Sequence, residues 1–299
     1  MTRLIGIALL IVITCISAGC ITYDDQGAGD RIPVAVTIPP MKEMVEAIGQ
    51  DRVRVTIVVP PGSEPHTFEP TPGQITTISG SKIFFRIGEG LLPFEDRLVG
   101  RLSSLNPDLV FVDLSEGIDR IREEESGDHE DDESHDHGGY DPHIWLSLQS
   151  GSHMAKSIAS ALIAIDPAGE AAYQKNLHEY LTSIEETNKQ VMDGLKELRI
   201  RRFIVTHDAW GYFARDYNLE QIAVHVGGKE PTAREIQEII MLAREDQIRV
   251  VFVEPQFSKK PAEVIAEEIG GVVVEIDPLA EAYLQNFIHI AEEIERAMR

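Results

Sequence analysis

Eight short runs rich in β-branched and aromatic residues punctuate the chain from residue 34 onward. Val34–Ile38, Val53–Val59, Lys82–Ile87 and Leu109–Leu114 lie in the first half; Phe203–Thr206, Ile222–Val224, Val250–Val253 and Val272–Ile276 lie in the second. Most are nearly continuous in apolar residues, the pattern of strands covered on both faces. Between them, Met41–Ile48, Ala233–Glu245, Pro261–Ile269 and Tyr283–Met298 read as helices. Strands alternating with helices predict parallel sheets. The expected fold class is therefore α/β, with two lobes, each a roughly four-stranded parallel sheet with flanking helices.

Between the halves, Tyr173, Leu177, Tyr180, Ile184, Val191, Leu195 and Leu198 recur mostly at steps of three or four, and Pro167 suits a helix start. One helix from Pro167 to Leu198 would run about 48 Å. That is long enough to pass both lobes as a stiff connection. The spacing thus predicts an N-terminal lobe at 32–150, a helical segment with the long linking helix at 151–200, and a C-terminal lobe at 201–299.

The first residues, MTRLIGIALLIVITCISAGC, have a positive start, an apolar stretch and small residues before Cys20. This is the pattern of an export signal over residues 1–19. Its apolar run is shorter than the ~20 residues a spanning helix needs. Ser17, Ala18 and Gly19 before Cys20 resemble the lipobox of lipoproteins, which implies a lipid on Cys20 and a tether over 20–31. The remainder is then expected outside the cytoplasm, anchored to the outer face of the cytoplasmic membrane. Cys15 lies in the signal, so the mature chain keeps Cys20 alone. That excludes a disulfide framework, a thiolate metal site and a cysteine nucleophile.

The formal charge is −23, and it is uneven: Glu123 to Asp136 holds nine acids and no lysine or arginine. Such a chain lacks the basic surface that a nucleic-acid partner requires. The acidic stretch also holds His129, His135 and His137. Its composition cannot bury a core, so residues 122–139 read as a surface loop inserted after the fourth strand.

Open α/β sheets bind ligands beyond the carboxyl ends of their strands. His66 follows the second strand in VVPPGSEPHTFEPTP, and His143 follows the fourth in YDPHIWLSL. His207 ends the first strand of the second lobe in FIVTHDAWGYF, and Asp277 ends its last strand in VVVEIDPLAEAY. Facing strand ends would bring three imidazoles and one carboxylate together, a set that suits Zn²⁺. Manganese prefers more oxygen. Prolines at 60, 61, 65, 70 and 72 stiffen the loop around His66. Imidazole must lose its proton to ligate, so binding by this set would weaken below about pH 6. Each residue also has a plainer reading: Asp277 before Pro278 suits a turn, and Asp208 suits a helix cap. Glu254 and His225 also end strands and are candidates to replace or join the set. No HExxH motif is present, so a zinc hydrolase using Glu64 or Glu254 as base is the weaker alternative.

PPGSEPHTFEPTP, DPHIWLS, THDAWGYF, FVEPQF and IDPL, in this order, resemble the metal-binding solute-binding lipoproteins of ABC transporters for zinc and manganese, the cluster A-I or cluster 9 family. The resemblance spans residues 32–299. It implies two α/β lobes joined by one long helix, ligands at His66, His143, His207 and Asp277, and no enzymatic activity. It also implies partners: a membrane permease and a cytoplasmic ATPase, with the binding protein itself expected to be monomeric. Family members associated with manganese tend to have glutamate where His207 stands, and zinc members often carry a histidine-rich acidic loop. The expected cargo is Zn²⁺, with manganese or iron as the alternative within the family. His129, His135 and His137 then form an auxiliary metal loop, separate from the main site, or a solvated insertion.

Overall fold

The computed structural model describes residues 31–122, 139–225 and 231–299, and Arg31–Arg299 forms one compact unit. The predicted signal, Cys20, most of the tether, and His129, His135 and His137 lie outside the described residues. The strands are β1 (Ile32–Val36), β2 (Val53–Ile57), β3 (Ile83–Arg86), β4 (Val110–Asp113), β5 (Arg202–His207), β6 (Glu220–His225), β7 (Val250–Val253) and β8 (Val272–Glu275). The helices are α1 (Pro39–Gly49), α2 (Pro72–Ser79), α3 (Pro93–Leu105), α4 (Leu148–Ile165), α5 (Glu170–Leu195), α6 (Gly211–Asp216), α7 (Ala233–Glu245), α8 (Lys260–Ile269) and α9 (Tyr283–Met298).

The strands form two four-stranded sheets, ordered β2-β1-β3-β4 and β6-β5-β7-β8, with every pair parallel. The expected fold is thus the observed one. Central strands are sealed on both faces: Ile83, Phe84 and Phe85 of β3 and all four residues of β7 are buried. Edge strands are not. Val110 on β4 is 42% exposed and Val272 on β8 is 59% exposed. In both sheets the chain reverses its winding direction beside the first strand. The crevices at β1/β3 and β5/β7 are therefore where such sheets accept ligands.

Helices α2 and α3, like the short α6, escape the apolar-period reading. In α2 only Ile78 is buried; the helix starts instead on a capping box between Thr71 and Gln74, with Pro72 at its first position. In α3 the buried set is Phe94, Glu95, Leu98 and Leu102, diluted by charged residues and Gly100.

The linking helix is also shorter than predicted. Residues 167–169 make a 3₁₀ turn, and α5 then runs 26 residues to Leu195, about 39 Å. The turn has a cause in Asp166. Its carboxylate accepts from Arg52 Nε (2.9 Å) and Tyr173 Oη (2.8 Å), which fixes a corner between α4 and α5. From that corner α5 packs on α1 and α4 of the first lobe and on α9 of the second. Its buried face is Tyr173, Asn176, Tyr180, Ile184, Thr187, Val191 and Leu195.

The lobes are stitched at several points. Glu43 on α1 accepts from Tyr180 Oη (3.0 Å) and from the Leu284 N–H at the start of α9 (3.4 Å). Burial raises its carboxyl above the usual range. Trp145 Nε1 donates to the Pro278 carbonyl at 2.8 Å, and Tyr283 Oη donates to the Trp145 carbonyl at 2.8 Å.

Candidate metal centre

Three imidazoles meet in the cleft. His66 Nε2 lies 3.2 Å from His143 Nε2, and His207 Nε2 lies 3.3 Å from the same atom. One ligand atom from each residue falls within 4.8 Å of the others. Two neutral imidazole nitrogens at such a distance share either one proton in a hydrogen bond or a common cation. A tetrahedral zinc with bonds of ~2.05 Å would hold its ligand nitrogens about 3.3 Å apart. The spacing fits a shared cation.

Each ring is aimed by its own local structure. His66 stands on the proline-stiffened loop after β2. Glu64 folds that loop by accepting the N–H of His66 (2.8 Å) and of Thr67 (2.8 Å). His143 precedes a short 3₁₀ turn, Ile144–Leu146. One oxygen of Asp141 holds both its N–H (2.8 Å) and its Nδ1 (2.7 Å). A proton on Nδ1 leaves the Nε2 lone pair for a metal, the usual role of a carboxylate behind a metal-binding histidine. His207 ends β5, with Nδ1 3.0 Å from Asp208 Oδ1. Asp208 therefore faces the histidine; the N-cap of α6 is Trp210, without a side-chain cap bond. The Phe257 ring lies over His207 at 4.9 Å between centroids. His143 and His207 are each 6% exposed, whereas His66 faces solvent.

Charge around His207 opposes burial. Burial disfavours the imidazolium, but Asp208, with Glu254 and Glu64 in support, outweighs it and raises the pKa above the ordinary histidine value.

The carboxylate predicted beside them is placed differently. Asp277 Oδ1 accepts from Gln256 Nε2 (2.9 Å) and from the Leu279 N–H (2.9 Å). It is not part of the group whose ligand atoms gather within 4.8 Å. The turn beside Pro278 is thus formed by Asp277 itself. Glu254 is fully buried and spent on structure: Oε1 accepts from Trp210 Nε1 at 2.7 Å and Oε2 from the Thr206 hydroxyl. Burial pushes its carboxyl up to about 7. His225 pairs with His207 in sheet register and is buried, outside the three-histidine group. No sequence pattern marks Phe257 as a site residue, whereas DPH and HD place Asp141 and Asp208 within two positions of a histidine, the signal by which both carboxylates can be found.

Residues 34–297 match the family described as ZnuA, zinc-uptake complex component A, periplasmic. The chain belongs to this family. It is a zinc-type solute-binding protein of ABC importers, a transport component and not an enzyme. ZnuA-type proteins work with a permease and an ATPase. Similar proteins include the high-affinity zinc uptake system protein ZnuA of Bacillus subtilis, 30% identical over 88% of this chain and 85% of that protein. The manganese-binding lipoprotein MntA of Halalkalibacterium halodurans is 27% identical over 88% of this chain and 84% of its own length. A crystal structure of ZnuA superposes with a TM-score of 0.82 at 38% identity, covering 90% of this chain and 99% of that one. Among the described residues, no helix is long and apolar enough to cross a membrane.

Proposed function

We propose that His66, His143 and His207 capture one Zn²⁺ through their Nε2 atoms and present it to the permease. The observation that carries this reading is the pair of Nε2 separations, 3.2 and 3.3 Å, between rings drawn from both lobes. Asp277 is assigned to the fourth position. It is half-buried, its carboxylate must turn from Gln256 and the Leu279 N–H to reach the ion, and the rival carboxylate of Glu254 is committed to Thr206 and Trp210. A net charge of −23 favours approach of cations.

Anchoring by a lipid on Cys20 and a monomeric state complete the proposal, and His129, His135 and His137 are assigned a separate, weaker zinc-collecting role. Calorimetry on the full chain in mild detergent tests the zinc assignments. One tight zinc event should vanish in His207→Ala while weaker events persist. Deleting residues 123–137 should remove the weaker events only. No tight event for any divalent metal would refute the site, and unchanged stoichiometry after the deletion would refute the collecting role.

A further inference from the structure

The acidic insertion leaves and re-enters the fold through a short stem. Asp141 N–H donates to the Ile121 carbonyl at 2.9 Å, and Arg122 and Tyr140 form an antiparallel bridge. This stem belongs to the first lobe, beyond β4. One side chain of the second lobe reaches into it. Tyr212, on α6, accepts the Ile121 N–H (3.1 Å) and donates to the Asp141 carbonyl (3.0 Å) through the same hydroxyl. The hydroxyl thus grips both arms of the stem at once. Tyr212 is 0% exposed. Burial pushes its phenol up to about 12, so it remains protonated and keeps both roles.

Two further contacts bring the lobes close here. Gly211 has no side chain where one would collide: a Cβ there would stand 2.7 Å from Asp141 Oδ2. Arg215 lies over the Tyr212 ring and donates to the Asp119 carbonyl at 3.2 Å. Asp141 is the residue whose other oxygen holds His143 at two points. A chain of contacts therefore runs from the second lobe through Tyr212 and Asp141 to a ring of the metal centre. The carboxylates nearest the other two histidines, Glu64 at His66 and Asp208 at His207, come from the same lobe as the histidine.

We propose that Tyr212 is a positioning residue that makes the aim of His143 depend on the lobes being together. When the lobes part, the Tyr212 hydroxyl withdraws, Asp141 is freed, and His143 loses its fixed orientation. Zinc is then released by loosening a ligand as well as by separating the lobes. This inference rests on His143 being a ligand.

The test is zinc dissociation into excess chelator from the full chain, with the absorption spectrum of the Co²⁺-loaded protein as a readout of ligand geometry. Tyr212→Phe keeps the ring and removes the hydroxyl, taking the partner from the Ile121 N–H and from the buried Asp141 carbonyl. It should raise the zinc off-rate about tenfold and alter the cobalt spectrum. Asp141→Asn should do the same, and the double variant should add less than the sum, because both act through one ring. Gly211→Ala, whose added methyl would meet the Asp141 carboxylate across the lobe boundary, should also speed release and tests the dependence of His143 on the second lobe should Tyr212→Phe fail to fold. An off-rate within twofold of wild type and an unchanged spectrum in the folded variants would overturn the inference, whatever happens to the melting temperature. A His143→Ala arm separates the two ideas. Tight zinc retained there refutes the ligand assignment; tight zinc lost there, with Tyr212→Phe like wild type, refutes only the role of Tyr212.

Discussion

The two lobes share a device and use it differently. In each, a threonine at the end of the first strand of the sheet donates its hydroxyl to a fully buried glutamate: Thr37 to Glu95, and Thr206 to Glu254. Burial pushes both carboxyls up to about 7. In the first lobe the glutamate comes from α3 and accepts the N–H groups of Ile87 (2.9 Å) and Gly88 (3.2 Å), so it fixes the loop after β3, which carries none of the three histidines. In the second it follows β7 directly and braces Thr206, the residue before His207, together with Trp210. Accordingly the second lobe presents its histidine from the end of a strand, on a braced support. The first lobe presents two histidines from loops, one braced by Asp141 and one exposed. Equal topology therefore yields unequal stiffness at the shared centre.

The largest effect should follow from removing the stiffest ligand. Substituting alanine at His207 should cost the most zinc affinity, at His143 somewhat less, and at His66 the least. A well-aimed, desolvated ligand has no substitute, whereas water replaces an exposed one. Chelator competition ranks the three; His66→Ala as the weakest binder would contradict the asymmetry. Next in size is the response to pH. A carboxyl held near 7 when folded and 4.5 when unfolded keeps its proton longer in the folded state. Its contribution to stability is complete below pH 4.5 and is lost as pH rises towards 7, at up to about 1.4 kcal/mol per pH unit. Denaturant titrations of the metal-free chain should therefore show a falling stability between pH 5 and 7 that is flatter in Glu95→Gln. Parallel curves would mean that Glu95 is not protonated in the native state. The smallest change is expected from Asp277→Asn, roughly a tenfold loss of affinity with stoichiometry unchanged. A loss as large as at His207 would place the carboxylate on a par with the imidazoles.

Much of this was legible because the relevant signals are local. β7, α7 and α9 fall where β-branched runs and helical spacing put them, and the three histidines follow strand ends that the sequence marks plainly. The failures are equally physical. Helix α2 begins on a capping box and buries a single apolar side chain, so periodicity misses it. The linking helix loses its first turn to an ion pair between Arg52 and Asp166, 114 positions apart. Asp277 could be read as a ligand or as a turn residue, and its hydrogen bond to Gln256 depends on a neighbouring strand end. The Tyr212 clamp joins three segments, at 121, 141 and 212, none of which carries a motif for it.

The uneven exposure of the three histidines bears on kinetics as well as affinity. An arriving aqua ion meets His66 first, while the other two rings lie behind it and are almost sealed. If the three rings are the ligands, water would be shed in sequence, first at His66 and then on moving inward. Capture speed under this scheme follows the lability of the ion's hydration shell, so the doorway sorts cations by how readily they part with water before the inner rings sort them by fit.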